Sequence, residues 1–368
     1  MHRQLVATIL VLCIAIATVG VGFSGSAVAS GGDAALASDA DEICDYPMTL
    51  EDATGEAVTI DAEPERIVAL HPSVAQVLWE VEANDRVVGM PVTDHTAYLD
   101  GYDEPANVYG DDGFPSNERV IDADPDLVIA SGAHDPERID ALREAGLTVY
   151  AFPPSSSIDD VREKTLTIGA LVGACENATA IVSWMDERLD AVEATVADEE
   201  RPVVYYAMGD GWTVGSGTFQ DEMIAAAGGE NLGALAGIEA WGQLSDEVVV
   251  EEDPEWIVYG DSWDEPPVTE ATMNTTAMQA DQTVVVNAQY INQDGPRIVY
   301  AIEEMAAAFH PDTAGESEET STPTETATPE PTTDEPAEEA AATGAQPGFG
   351  VVVSLLALIV AAGFFRRS

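Results

Sequence analysis

"NERVIDADPDLVIASG" (117–132) and "DEVVVEEDPEWIVYGD" (246–261) align without a gap when residue 117 is laid on 246, an offset of 129. Glu118 then falls on Glu247, Val120 on Val249, Asp124 on Asp253, Pro125 on Pro254, and Val128-Ile129 on Ile257-Val258. Each copy reads as a short helix, an Asp-Pro turn and a buried strand. The copies flank a helical pattern from about Glu176 to Asp198, roughly 35 Å long at the rise of an α-helix. A duplicated unit on either side of a long helix implies an α/β chain. Its two Rossmann-like lobes would be joined by that long helix and face each other across a ligand cleft.

The segments around these copies extend the pattern. "RIVALH" (66–71), "DLVIASG" (126–132) and "LTVYAF" (147–152) read as strands. Helices from Ser73 to Val81 and from Pro136 to about Ala145 separate them, the latter capped by Asp135 and stopped by Gly146. A helix over Ile158–Val172 has apolar positions at 158, 161, 168 and 172, and Gly173 ends it. "PVVYYAM" (202–208), a helix over 219–227 boxed by Thr218 and Asp221, "WIVYGD" (256–261), "TVVVNAQ" (283–289) and a helix from about Arg297 to Phe309 complete the second half. Strand, helix, strand in this rhythm gives parallel βαβ units.

Both ends of the chain read differently from its middle. Residues 1–29 have the layout of a secretory signal, with an apolar run from Leu5 to Val21 and a small-residue site at Ala27-Val28-Ala29. A linker (30–43) leads to an N-terminal lobe (44–157), connecting helices (158–199) and a C-terminal lobe (200–311). The stretch 312–346 is rich in Thr, Pro and Glu. It includes "STPTETATPEPTTDEPAEEAAATG", which has no large apolar side chain to bury, so it is expected to be a solvated, disordered stalk. "PGFGVVVSLLALIVAAGFFRRS" (347–368) closes the chain with 15 residues from Val351 to Phe365, then two arginines. With Pro347-Gly348-Phe349 before the apolar run, this end resembles an archaeal sorting signal, and the resemblance implies that it is cleaved and replaced by lipid; the alternative is a short membrane anchor.

Lys and Arg number 13 against 68 Asp and Glu, a net charge of −55 that argues against nucleic acid as a partner. The acid is spread along the chain, as in proteins of extreme halophiles, where salt screens the self-repulsion. After signal removal Cys44 and Cys175 remain. They form either one disulfide, closing a loop of about 130 residues for roughly 4–5 kcal/mol, or two free thiols. Asn177 and Asn274 open glycosylation sequons.

Ligands of parallel sheets lie beyond the carboxyl ends of the strands. The segments there carry His71, Ser131, Trp212, Trp263 and Tyr290, and nearby turns add Tyr109 and Trp241. Their aromatic faces suit a large planar or apolar ligand with polar edges; the plainer alternative is that each ring caps the core.

At this point the residues resemble a family. "RIVALHPSVAQVLWEVEANDRVVG", the two repeat copies, "GLTVYAFPPSSSIDDVREKTLTIGALVG", "GSGTFQDEMIAAAGGENL" and "GPRIVYAIEEMAAAFHP" occur in the order found in the substrate-binding proteins of ATP-driven importers for cobalamin, haem and ferric siderophores. The resemblance covers almost all of 58–311. It implies two lobes joined by a rigid helix, no catalysis, no resident cofactor and a monomer at the outer face of the membrane. It also implies that one exposed glutamate per lobe, at Glu118 and Glu247, docks on arginines of a permease dimer with its ATPase subunits; the alternative is two solvated glutamates. Cobalamin binders resemble the chain most, through Trp212, Trp241 and Tyr290. The region 92–116 departs from their pattern, which leaves Tyr109 less supported. Ferric siderophore or haem is the alternative ligand. A zinc or manganese binder would draw on His71, His95 and His134 with Asp210 or Asp261. A hydrolase elbow and a phosphate loop are missing from the sequence, which sets an enzyme behind a binding protein. A surface adhesion protein is a further alternative.

Overall fold

In the computed structural model the described residues are 44–131 and 136–312. The predicted signal, the linker, nearly all of the stalk, the sorting signal, Asp135 and His134 lie outside them. A hairpin of β1 (Met48–Glu51) and β2 (Ala57–Ile60) opens the described chain. The first lobe follows: β3 (Ile67–Ala69), α1 (Pro72–Glu80), β4 (Val87–Met90), β5 (Ala106–Asn107), α2 (Asn117–Asp122), β6 (Leu127–Ala130), α3 (Pro136–Glu144) and β7 (Val149–Ala151). Its strands form one parallel sheet in the order β5-β4-β3-β6-β7. Alternate residues feed opposite faces. Ile67, Ala69, Leu127 and Ile129 meet α1, whereas Val68, Leu70, Val128 and Ala130 meet α2 and α3. Burial on both faces is why these strands read as unbroken apolar runs.

Two helices, α4 (Ile158–Leu171) and α5 (Cys175–Val196), join the lobes. A capping box starts α4: the Ser157 hydroxyl accepts from the Asp160 N–H, and the Asp160 carboxylate accepts from the Ser157 N–H. Each helix has one end in each lobe's core. Ile158 and Val161 of α4 pack with the second lobe, and Ile168 and Leu171 with the first. Ala178 of α5 packs with the first lobe, and Met185, Val192 and Val196 with the second. The helices approach so closely that a Cβ at Gly169 would overlap that of Ala178. The 22-residue α5 is about 33 Å long.

The second lobe contains β8 (Val203–Tyr206), β9 (Trp212–Val214), α6 (Phe219–Ala226), β10 (Glu230–Asn231), α7 (Leu232–Leu235), β11 (Trp241–Gln243), α8 (Asp246–Glu252), β12 (Trp256–Gly260), α9 (Thr276–Ala280), β13 (Thr283–Val286), α10 (Ala288–Asn292) and α11 (Ile298–Phe309). A parallel sheet ordered β10-β8-β12-β13 forms its centre. The strand expected over 283–289 stops at Val286, because the Asn287 side chain accepts from the N–H groups of Gln289 and Tyr290 and starts α10. The Thr218–Asp221 box is half made: Thr218 caps α6, but the Asp221 carboxylate accepts from Asn231 instead.

The repeat is a structural one. Ser116 and Ser245, also 129 apart, cap α2 and α8 by accepting from the N–H groups of Arg119 and Val248. Asp124 and Asp253 end the two units in the left-handed region, at φ of 49° and 44°. Val120 and Val249 point into the core.

Candidate functional site

The loops at the carboxyl ends of the two sheets meet. The segment 289–297, beyond β13, reaches the loops beyond β3 and β4. Gln76 of α1 donates to the Tyr98 hydroxyl at 2.8 Å, and Tyr98 donates to Gln293 Oε1 at 2.8 Å. Gln293 Nε2 donates to the His95 carbonyl, also at 2.8 Å. Arg297 joins Glu80 at 2.6 Å, and its N–H donates to Gln76 Oε1. Gly295 passes so near Gln76 that any Cβ there would strike it.

Beneath this clasp lies a buried ion pair. Lys164, the one lysine of the chain, projects from α4 and meets Asp294 Oδ1 at 2.9 Å. It also donates to Ser73 Oγ at 2.7 Å and to the Asp294 carbonyl at 3.2 Å. Ser155 donates to the other Asp294 oxygen at 2.6 Å, and His71 Nδ1 shares a 2.8 Å hydrogen bond with Ser73. Burial alone would raise the Asp294 carboxyl. The Lys164 charge, then that of His71 and the hydroxyl donors, outweigh burial and hold it at about 2. Burial pulls the Lys164 ammonium down, and Asp294 opposes it.

Other loops beyond the strand ends carry exposed aromatic side chains. The strands β9 and β11 pair as an antiparallel ribbon, with Trp241 opposite Val214 and Trp212 opposite Gln243. Residues opposite one another and residues two apart share a face, so both indoles lie on the same side. They are 45% and 48% exposed, and no aromatic or cationic partner covers either among the described residues. Trp263, 47% exposed, lies over the Gly209 turn that leads into the ribbon. The first lobe contributes Phe114, 63% exposed, at the tip of a loop closed by the Tyr109–Pro115 bridge. Phe114 falls in the stretch that departs from the family pattern, so no motif singled it out.

The other predicted residues are placed otherwise. Tyr109 lies under that loop, its hydroxyl donating to the Leu70 carbonyl and pushed up to about 12 by burial. His71 is the N-cap of α1. Ser131 is buried, and its hydroxyl meets no partner among the described residues. Tyr290 sits in the clasp, its ring against Tyr98 and Tyr300 with Arg297 over it. Of the metal alternative's histidines, His134 lies outside the described residues and His95 bonds Gln289; the described residues hold no group of three or more His, Cys, Asp and Glu able to hold a metal. A concavity of about 250 Å³ that touches none of the three exposed tryptophans is walled by Glu51, Asp52, Asp160, Glu163 and Lys164 together with Tyr150 and Phe152. Its size and acidic lining suit water rather than a macrocycle.

Comparison with known proteins adds to this geometry. Residues 67–286 match the periplasmic binding protein family. A cobalamin-binding protein of Halobacterium salinarum is 39% identical over 322 residues, covering 84% of this chain and 86% of its own. The chain belongs to the periplasmic binding protein family. The ABC transporter substrate-binding lipoprotein YvrC of Bacillus subtilis is 30% identical over 73% of this chain and 87% of its own. In fold, the chain resembles the apo periplasmic heme-binding protein RhuT of Roseiflexus sp. RS-1, with a TM-score of 0.59 and 24% identity over 68% of this chain and 99% of that one. Residues 346–367 match the PGF-CTERM motif.

As a periplasmic binding protein the chain binds a small molecule and serves an ABC transporter. The C-terminal motif marks it as exported and held at the cell surface. Glu118 and Glu247 are exposed on α2 and α8, and neither joins an ion pair among the described residues. Cys44 is bonded to Cys175 with a Cα–Cα distance of 6.2 Å. The Asn177 amide donates to the Val81 carbonyl at 2.9 Å, whereas Asn274 is exposed in a short turn.

Proposed function

We propose that this protein captures cobalamin, or a related corrinoid, outside the cell and delivers it to a permease dimer with its ATPase subunits. It works as a monomer tethered through its C-terminus, where the sorting signal is exchanged for lipid. The ligand is cargo: the protein has no resident cofactor and catalyses nothing. One observation carries the reading most: two uncovered indole faces share one side of a ribbon beyond the strand ends. A corrin ring is a broad plane with amide-bearing edges, and such faces suit it. The arginines also favour a ligand of low negative charge. Arg86, Arg119, Arg143, Arg162, Arg188 and Arg297 are each paired with a carboxylate. Arg66 and Arg201 are tied to carbonyls, which leaves Arg138 of α3 as the one described arginine with neither kind of partner among the described residues. Carboxylate-bearing haem or an anionic siderophore would need free cations. The relative from Halobacterium salinarum supports the same choice.

Glu118 and Glu247 support the delivery step, since equivalent charges on two lobes match a twofold partner. The test is equilibrium binding of cyanocobalamin, haem and a ferric hydroxamate at high salt, read by tryptophan fluorescence. Cyanocobalamin should saturate and quench, and W212A or W241A should each weaken it about tenfold. Tight haem or hydroxamate binding without cobalamin binding would replace the ligand, and turnover of any of them would reject a pure binder.

A further inference from the structure

The repeat duplicates more than the glutamates. On α2, Glu118, Ile121 and Asp122 are exposed; on α8, so are Glu247, Val250 and Glu251. Each set stands at i, i+3 and i+4 on one helix, hence on one face. The offset of 129 maps each member onto its counterpart. Ile121 is 43% exposed and Val250 45%. A lone exposed aliphatic is ordinary. Here the same kind of residue is left uncovered twice, between the same two carboxylates, on helices with matching serine caps and matching left-handed ends. None of the four carboxylates has a cationic partner among the described residues.

We infer that each lobe docks through a composite footprint, an aliphatic knob between two carboxylates. The occupant is a twofold membrane partner that offers, twice, a basic patch around an apolar recess. This rests on the importer reading above. The acidity of the chain explains why charge alone would not suffice. In about 1 M salt the screening length is roughly 3 Å, so surface ion pairs lose most of their reach. Burial of an aliphatic side chain is not screened, and excluded salts strengthen it. The carboxylates select a basic partner, and Ile121 and Val250 hold it.

The experiment uses the full-length protein and membrane vesicles containing its transporter, at 0.2 M and 3 M potassium chloride, with cyanocobalamin binding measured in parallel. The variants are I121S/V250S, E118Q/E247Q, and V285S as a control, because Val285 is an exposed aliphatic outside both footprints. I121S/V250S should weaken association with the vesicles about tenfold or more at 3 M. Its cobalamin affinity should stay within about twofold of the wild type, since neither Ile121 nor Val250 belongs to the β9–β11 ribbon that carries the indoles. The loss in E118Q/E247Q should shrink as salt rises. Wild-type association by I121S/V250S at both salts, or an equal loss in V285S, overturns this inference and leaves the importer reading intact. A wild-type protein that binds cobalamin but not the vesicles overturns the importer reading, and this inference with it.

Discussion

Replacing Asp294 by Asn tests what holds the lobes together. Asn keeps the size of the side chain and can still accept from Ser155. What it removes is the counterion of Lys164, whose side chain is 2% exposed and makes its three polar contacts with Asp294 Oδ1, the Asp294 carbonyl and Ser73 Oγ. The variant therefore leaves an ammonium in a dry site with two neutral acceptors. Stranding one member of a buried pair costs about 3–5 kcal/mol. For a protein of this size that lowers the melting temperature by roughly 6–20 °C. Thermal unfolding by circular dichroism at pH 7, in 1 M and 3 M salt, should show the same loss at both, because a buried pair is little screened. K164M/D294L should recover to within about 1 kcal/mol of the wild type, since an apolar pair of similar volume needs no ion solvation. Acid adds a second signature. The Asp294 carboxyl ordinarily titrates at 3.8 and is held at about 2 when folded. Its depressed value gives stability present in full above about pH 4 and lost as pH falls through 2, about 2 kcal/mol in all. The acid limb should be shallower in D294N by that amount. A D294N protein within about 1 kcal/mol of the wild type, or a loss that salt erases, would refute the idea that this pair pins the lobes.

Three further outcomes follow from the same structure. Reducing the Cys44–Cys175 disulfide, whose partners are 131 residues apart, should cost up to about 5 kcal/mol of stability; unchanged melting in reductant would contradict this. G169V forces side-chain atoms into Ala178 of α5 and should destabilise by about 1–3 kcal/mol, or more if the helices must part; equilibrium urea unfolding measures it. In the native host, peptide mass spectrometry should find glycan on Asn274 rather than Asn177, because the Asn177 amide is committed to the Val81 carbonyl.

The sequence alone determined the lobes, their repeat and the parallel pairing of their strands, though not the order of the strands in each sheet. Those properties are written in local patterns: apolar runs buried on both sheet faces, capping serines, and an Asp-Pro turn that recurs at a fixed offset. It determined the exposed glutamates for the same reason, since α2 and α8 bury one valine each and leave the opposite side to solvent. The tertiary structure decided what periodicity cannot report, namely which neighbour buries a side chain. The apolar positions of α4 read as one stripe, yet Ile158 and Val161 belong to one lobe and Ile168 and Leu171 to the other. Lys164 stands on that stripe, three residues after Val161 and four before Ile168, which was a usable sign of a buried charge; nothing local named Asp294, 130 residues on, as its partner. The ribbon that turns Trp212 and Trp241 to one side pairs strands on opposite sides of α6, and Tyr290 was drawn into the clasp by Tyr98 from the other lobe. Contacts between distant segments depend on how finished lobes meet, and no window of sequence encodes that meeting.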